Sequence, residues 1–231
     1  MNSKFKQNHF ISISPLALLT LSACGGNPSS SVQSITGNII KGPLSNALVF
    51  LDLNGNGTMD GSETSVRTDA NGSFSLSATG SNYTIVALTD NTTVDTSSGS
   101  VLNGVTLKAP SGASVVAPTT TLMEEGDLTA AQVAEVLSLP DGVDPLTFNP
   151  FAAGVDAADA LAVEKVSQQI MTAVSSFASA AEGAGASEAD AFSAALGSVI
   201  EVVKVKAENL SDENASVAAK TLNFSDAADL N

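Results

Sequence analysis

Asp52, Asn54, Asn56, Thr58, Asp60 and Glu63 stand at alternating and then wider intervals in Asp52-Leu53-Asn54-Gly55-Asn56-Gly57-Thr58-Met59-Asp60-Gly61-Ser62-Glu63. The spacing is D-x-[DN]-x-[DN]-G-x5-E, with Gly57 at the position where the chain must turn sharply. Such a loop suits calcium, a hard cation that takes about six to eight oxygen ligands. Asp52, Asn54, Asn56 and Asp60 offer side-chain oxygens, Thr58 its carbonyl, and Glu63 both carboxylate oxygens. Met59 supplies the apolar residue usual at the eighth position. Only Asp52, Asp60 and Glu63 carry charge, so the expected affinity is that of extracellular modules, about 10⁻⁴–10⁻³ M. The expected role is structural: the ion relieves repulsion among three carboxylates and closes a connection between two strands. The alternative for the same residues is an Asn/Gly-rich turn that happens to fit the pattern.

The flanking residues predict strands. From Ile35 to about Pro118, short β-rich runs alternate with Gly, Asn, Asp and Pro. Ile35–Ile40, Ala47–Leu51, Thr64–Thr68, Ser73–Ser77, Tyr83–Leu88, Val101–Leu107 and Ser114–Ala117 read as strands. Phe74 and Leu76 are expected to point inward. Seven or so strands in this length predict a small antiparallel β-sandwich over residues 35–117. Asp69-Ala70-Asn71-Gly72 reads as an Asx turn closing a hairpin, with Asp69 and Asn71 as extra calcium ligands the alternative.

A strand rather than a helix enters the loop, and the exit Thr64-Ser65-Val66-Arg67-Thr68 is rich in β-branched residues. This arrangement resembles the calcium-binding B-type repeats of bacterial surface adhesins, the SdrD B-like domains. The residues that carry the resemblance are Val49 to Gly57, the acidic close Asp60 to Glu63, and Thr68-Asp69-Ala70-Asn71-Gly72-Ser73-Phe74. It covers about residues 35 to 90 and implies a calcium-stabilised domain of an adhesive surface protein.

The amino terminus reads as an address. Met1 to His9 is polar and basic, and Phe10 to Leu21 is largely apolar but too short for a spanning helix and broken by Pro15. Leu21-Ser22-Ala23-Cys24 resembles the lipobox of bacterial lipoproteins, with an ordinary signal peptide and a chance Cys the alternative. That resemblance implies a diacylglycerol on the thiol of Cys24, cleavage before it, and often acylation of the new amino terminus. More than one acyl chain anchors stably, whereas a single one does not. Gly25 and Gly26 stand where an inner-membrane retention signal would place Asp, so the implied destination is the outer membrane. Residues 1–23 are thus expected to be a signal peptide and 24–34 a lipidated Cys on a flexible tether.

After Pro118 the composition shifts to Ala, Val, Leu and acids, and the pattern predicts an α-helical region over 118–231. Thr119–Glu125 reads as a short helix, and Thr129-Ala130-Ala131-Gln132 as a capping box opening a second. A long helix is expected over about 156–181, with Val163, Val166, Ile170, Val174 and Phe177 as its stripe. Ser187 opens another, with Phe192, Leu196, Val199 and Val203, and the glycines between them predict a helical hairpin. Val115 to Leu122 and Leu139 to Asp144 resemble modules of large calcium-rich bacterial exoproteins, which adds no functional residues. Nothing at Asp229-Leu230-Asn231 closes the pattern, so whether the helical region ends there is left open.

Composition narrows the chemistry. The chain has 231 residues, 9 Lys+Arg against 24 Asp+Glu, a net charge of −15, one Cys and one His. His9 falls in the expected signal peptide, so Ser-His-Asp, Cys-His and Cys/His zinc chemistry have no imidazole to use. Lys41, Arg67, Lys108, Lys165, Lys204, Lys206 and Lys220 are scattered, which argues against a nucleic-acid face or an anionic membrane surface. Glu124 and Glu125, being adjacent, are expected to point to different sides of a helix, and Lys204 and Lys206 to lie on a solvated face. No catalytic site is expected. The reading is α+β: a small antiparallel β-sandwich followed by an α-helical region. The chain is expected to serve adhesion, binding or scaffolding at the cell envelope, on either the periplasmic or the outer face of the outer membrane, with a protein or polysaccharide partner at the cell surface and with the membrane met only through the lipid. The alternative is an accessory or fragment of an envelope hydrolase or carbohydrate-processing protein.

Overall fold

The computed structural model describes residues 32–224 and Asp229. The expected signal peptide, Cys24 and all of the tether before Val32 lie outside the described residues. The order is β1 (Val32–Ile39), β2 (Leu44–Ser45), β3 (Leu48–Asp52), β4 (Ser65–Arg67), β5 (Ser73–Thr79), β6 (Thr84–Leu88), β7 (Val94–Asp95), β8 (Ser100–Val101), β9 (Thr106–Pro110) and β10 (Val115–Val116). Then follow α1 (Pro118–Gly126), α2 (Ala130–Val136), α3 (Ala157–Gly183), α4 (Glu188–Glu208) and α5 (Val217–Lys220). The protein is α+β, with strands in the amino-terminal half and helices in the carboxy-terminal half.

The strands form three sheets, ordered β10-β1-β5, β2-β7-β8 and β4-β3-β6-β9. Period-two burial orients the first: Phe74, Leu76 and Ala78 of β5 are buried while Ser75, Ser77 and Thr79 face out. These residues share a core with Val49, Leu51, Ile85, Ala87, Leu107 and Ala109 of the four-stranded sheet, which is the packing of a sandwich. Phe50 and Val86 lie on that sheet's other face and are also fully buried, so β3 and β6 are covered on both sides. Their unbroken apolar runs reflect this.

Two details depart from the simple antiparallel reading. β10 pairs with β1 in parallel, through Asn38–Val115 and Ile39–Val116. Gly37 permits the approach, because a Cβ there would stand 2.5 Å from the Ser114 carbonyl. The run expected as a strand from Val101 to Leu107 divides into the end of β8 and the start of β9. Gly104 lies between them at φ +71, a conformation that breaks the ladder.

Helix α1 opens with Pro118, whose missing N–H costs nothing at a helix start. Its next three residues are threonines, poor helix formers by intrinsic propensity, and all are buried. Their place is explained by the sheet: Thr121 accepts the N–H of Lys108 at 2.9 Å, and Thr120 donates to the Lys108 carbonyl at 2.9 Å. In α2, Thr129 accepts from Gln132 N–H, and Gln132 accepts from Thr129 N–H. Ser187 caps α4 by accepting from Asp190. Helices α3 and α4 form the hairpin, burying Ile170, Val174, Val199 and Val203 with Leu122 and Val133 in a second core. Met171 of α3 joins the sandwich core, and Leu146 and Phe192 pack against both cores.

Lys206 corrects the expectation of a solvated face. It is only 9 % exposed, and its Nζ donates to the Ala218 carbonyl at 2.7 Å and pairs with Asp229 at 2.5 Å. Lys204 stays at the surface beside Glu201. Among the described residues, no helix is long and apolar enough to cross a membrane.

Candidate calcium loop

Residues 52–63 leave the end of β3 and return to β4 through a chain of side-chain-to-backbone hydrogen bonds. Asp52 anchors it. The residue is 3 % exposed; Oδ1 accepts the N–H groups of Asn54 (3.2 Å) and Gly55 (2.7 Å), and Oδ2 that of Gly57 (2.7 Å). Burial by itself raises the pKa of Asp52, but the N–H groups of Gly57, Gly55, Asn54 and Asn56 outweigh it and hold the carboxyl below its usual range. Gly55 and Gly57 lie at φ +74 and +70, and both are needed for the loop to curl around that carboxylate.

The other expected ligands join the same arrangement. Asn54 Oδ1 accepts Asn56 N–H at 3.0 Å, and Asn56 Oδ1 accepts Thr58 N–H at 2.8 Å. The amide nitrogens of Asn54 and Asn56 converge on Asp60 Oδ2 at 2.7 and 3.0 Å. Glu63 reaches back across the loop: Oε1 accepts Leu53 N–H and Oε2 accepts Asp60 N–H, each at 2.9 Å. Side chains of all six positions thus take part in closing the loop, that of Thr58 through its hydroxyl, which donates to Asn56 Oδ1.

The donor set fits a hard cation. Every group is an oxygen ligand or an amide that carries one, and Asp60 Oδ2 already draws two N–H donors. Which end of an amide faces inward is decided by its surroundings. A cation beside Asp60 would favour turning Asn54 and Asn56 to present oxygen. Asp52, Asn54, Asn56, Asp60 and Glu63 would then hold it with the Thr58 carbonyl, neutralising the carboxylates and stiffening the loop. Three of the six positions are neutral, and among the described residues no three His, Cys, Asp or Glu side chains converge as a metal cluster.

Asp69 and Asn71 do something simpler. Asp69 Oδ1 accepts the N–H groups of Asn71 and Ser73, forming the Asx turn between β4 and β5. The Ser73 and Asn71 bonds lower its pKa.

Sequence reasoning missed what surrounds the loop. Asp52 lies opposite Thr84 on β6, and the Thr84 hydroxyl donates to Glu124 of α1 at 2.5 Å. Glu125 turns the other way and pairs with Lys108 at 2.5 Å. A cleft of about 380 Å³ opens between Asp52, Asn82, Tyr83, Ser111 and Glu124. Asn82, Tyr83, Ser111 and Glu124 lie 30 to 72 positions beyond Asp52, and no local pattern marks them. Cys24, the expected lipidation site, lies outside the described residues.

Comparison with protein-family models, with curated proteins and with solved structures finds no match for the chain.

Proposed function

We propose that this chain is a lipid-anchored protein of the bacterial outer membrane whose loop 52–63 binds calcium as a structural ion. Its work is adhesion, binding or scaffolding at the cell envelope, with no catalytic step of its own. The observation that carries the calcium reading is a loop of the D-x-[DN]-x-[DN]-G-x5-E spacing curled around the buried carboxylate of Asp52, which accepts the N–H groups of Gly55 and Gly57. The lipid anchor is carried by Leu21-Ser22-Ala23-Cys24 after a short apolar run. The binding role is supported by an apolar groove of about 380 Å³ between α3 and α4, lined by Phe177, Ala181, Ala195, Val199 and Val202.

The ion would act through linkage. A ligand that binds only the folded state adds about 2.7 kcal/mol at 100 times its dissociation constant. The test is calcium titration of the whole chain in detergent by calorimetry, with melting curves in calcium and in chelator. One site near 10⁻⁴–10⁻³ M, weakened by Glu63→Ala and raising the melting temperature, is the expected result. No heat and no shift at several times the upper end of that range would reduce the loop to a turn. Metabolic labelling with a palmitate analogue, lost in Cys24→Ser, tests the anchor.

A further inference from the structure

The sheet delivers one lysine to the calcium loop from the side that carries the helices. Phe50, Val86 and Lys108 lie opposite one another across β3, β6 and β9, so their side chains leave the same face. Helix α1 covers that face at Lys108, whose Nζ pairs with Glu125. The ammonium also abuts the loop: a Cβ placed on Gly57 would stand 3.6 Å from Lys108 Nζ. Gly57 is the residue whose N–H binds Asp52 Oδ2. A positive charge therefore sits beside the sixth position of the loop, on a side chain about one-fifth exposed (21 %) and so only partly screened by solvent. Two residues along on the same face, Asp52 faces Thr84, and Thr84 holds Glu124. Helix α1 thus brings two carboxylates to this side, one tied to a hydroxyl and one to the lysine.

We infer that Lys108 sets the affinity of the loop for calcium, acting as a resident cation beside which the divalent ion must bind, with Glu125 offsetting part of its charge. This rests on the calcium reading above. Repulsion between the ammonium and the ion weakens binding, and Glu125 partly relieves it, so the two residues act with opposite sign. Lys108→Met keeps the aliphatic stem and the backbone clamp to Thr120 and Thr121 but removes the charge. Calcium then binds roughly three- to tenfold more tightly. Glu125→Gln leaves the ammonium uncompensated and weakens binding roughly two- to fivefold. The double variant lies between the parent and Lys108→Met, because Glu125 offsets only part of the lysine's charge. A lysine that merely propped the loop by packing would give the other pattern, in which each variant loosens the loop and weakens binding.

The experiment is calorimetric calcium titration of the whole chain in a zwitterionic detergent, for the parent, Lys108→Met, Glu125→Gln and the double variant, at low and high salt. Circular dichroism checks that each is folded, and Lys108→Gln, with the same expected sign, replaces Lys108→Met if that variant does not fold. Tighter binding without the lysine, weaker binding without the glutamate, and differences that shrink at high salt are expected. A parent that binds calcium while the lysine variants bind equally or more weakly overturns this inference alone. A parent that binds none ends both this inference and the calcium reading.

Discussion

The hydroxyl of Thr121 accepts the main-chain N–H of Lys108 at 2.9 Å, so a helix side chain completes the hydrogen bonding of the last strand in the four-stranded sheet. Strand β9 pairs with β6 on one side only, and its other edge would leave N–H and C=O groups unpaired inside the protein. Thr120 and Thr121 satisfy both at Lys108 and themselves are fully or almost fully buried. An edge closed by a helix cannot recruit another strand there.

Thr121→Val keeps the shape and removes the acceptor. A buried unsatisfied N–H costs about 1–3 kcal/mol, and that loss is expected as a lower urea midpoint at unchanged slope. A midpoint equal to the parent's would mean that the Lys108 N–H finds another partner.

Asp52 is expected to stabilise the loop even without calcium. In chelator, Asp52→Ala removes the acceptor of three backbone N–H groups and lowers stability by about 1–3 kcal/mol. Asn54→Ala, at an exposed position, is expected to change stability in chelator by no more than about 0.5 kcal/mol while weakening calcium binding. Paired unfolding curves in chelator and in calcium separate the two effects.

Acid should unfold the protein through its aspartates. The Thr92 hydroxyl, followed by the Arg67 side chain and Thr92 N–H, lowers the pKa of Asp90 from 3.8 to about 2. Asp52, Asp69, Asp95 and Asp229 are lowered too. At Asp95 burial opposes the shift, and the Ser97 bonds and Lys41 overcome it. A carboxyl with a lower pKa in the folded state stabilises it above the unfolded value, and that gain disappears as pH falls through the folded value. The melting temperature is therefore expected to be steady above about pH 5 and to fall between about pH 4 and pH 2. In a carboxyl NMR titration, Arg67→Met should move Asp90 back toward 3.8.

Lys206 ties the carboxy-terminal segment to α4 through the Ala218 carbonyl and Asp229. Lys206→Met leaves Asp229 without its cation and is expected to cost about 2 kcal/mol, less than for a fully buried pair. Hydrogen exchange should rise in α5 while β3 and β6 keep their protection. Unchanged exchange at Val217–Lys220 would show that the tie is dispensable.

What the amino-acid sequence determines by itself lies within short stretches of chain. The capping box at Thr129 and the N-cap at Ser187 are made by residues three apart, and the inward set Phe74 and Leu76 follows from a period of two. The helical hairpin follows from two apolar stripes with glycines between them. The residues of loop 52–63 are legible for the same reason: the bonds from Asp52 to Gly57 and from Glu63 to Leu53 close within twelve positions. Tertiary structure alone decides the rest. The parallel match of β1 with β10 joins residues more than 70 apart and depends on Gly37 having no side chain. The place of Lys108 beside Gly57 depends on the register of three strands. A register shifted by one residue would turn that lysine into the sandwich core. The burial of Lys206 depends on where the chain's end returns, and a charged side chain carries no local mark of the partner that will take it from water.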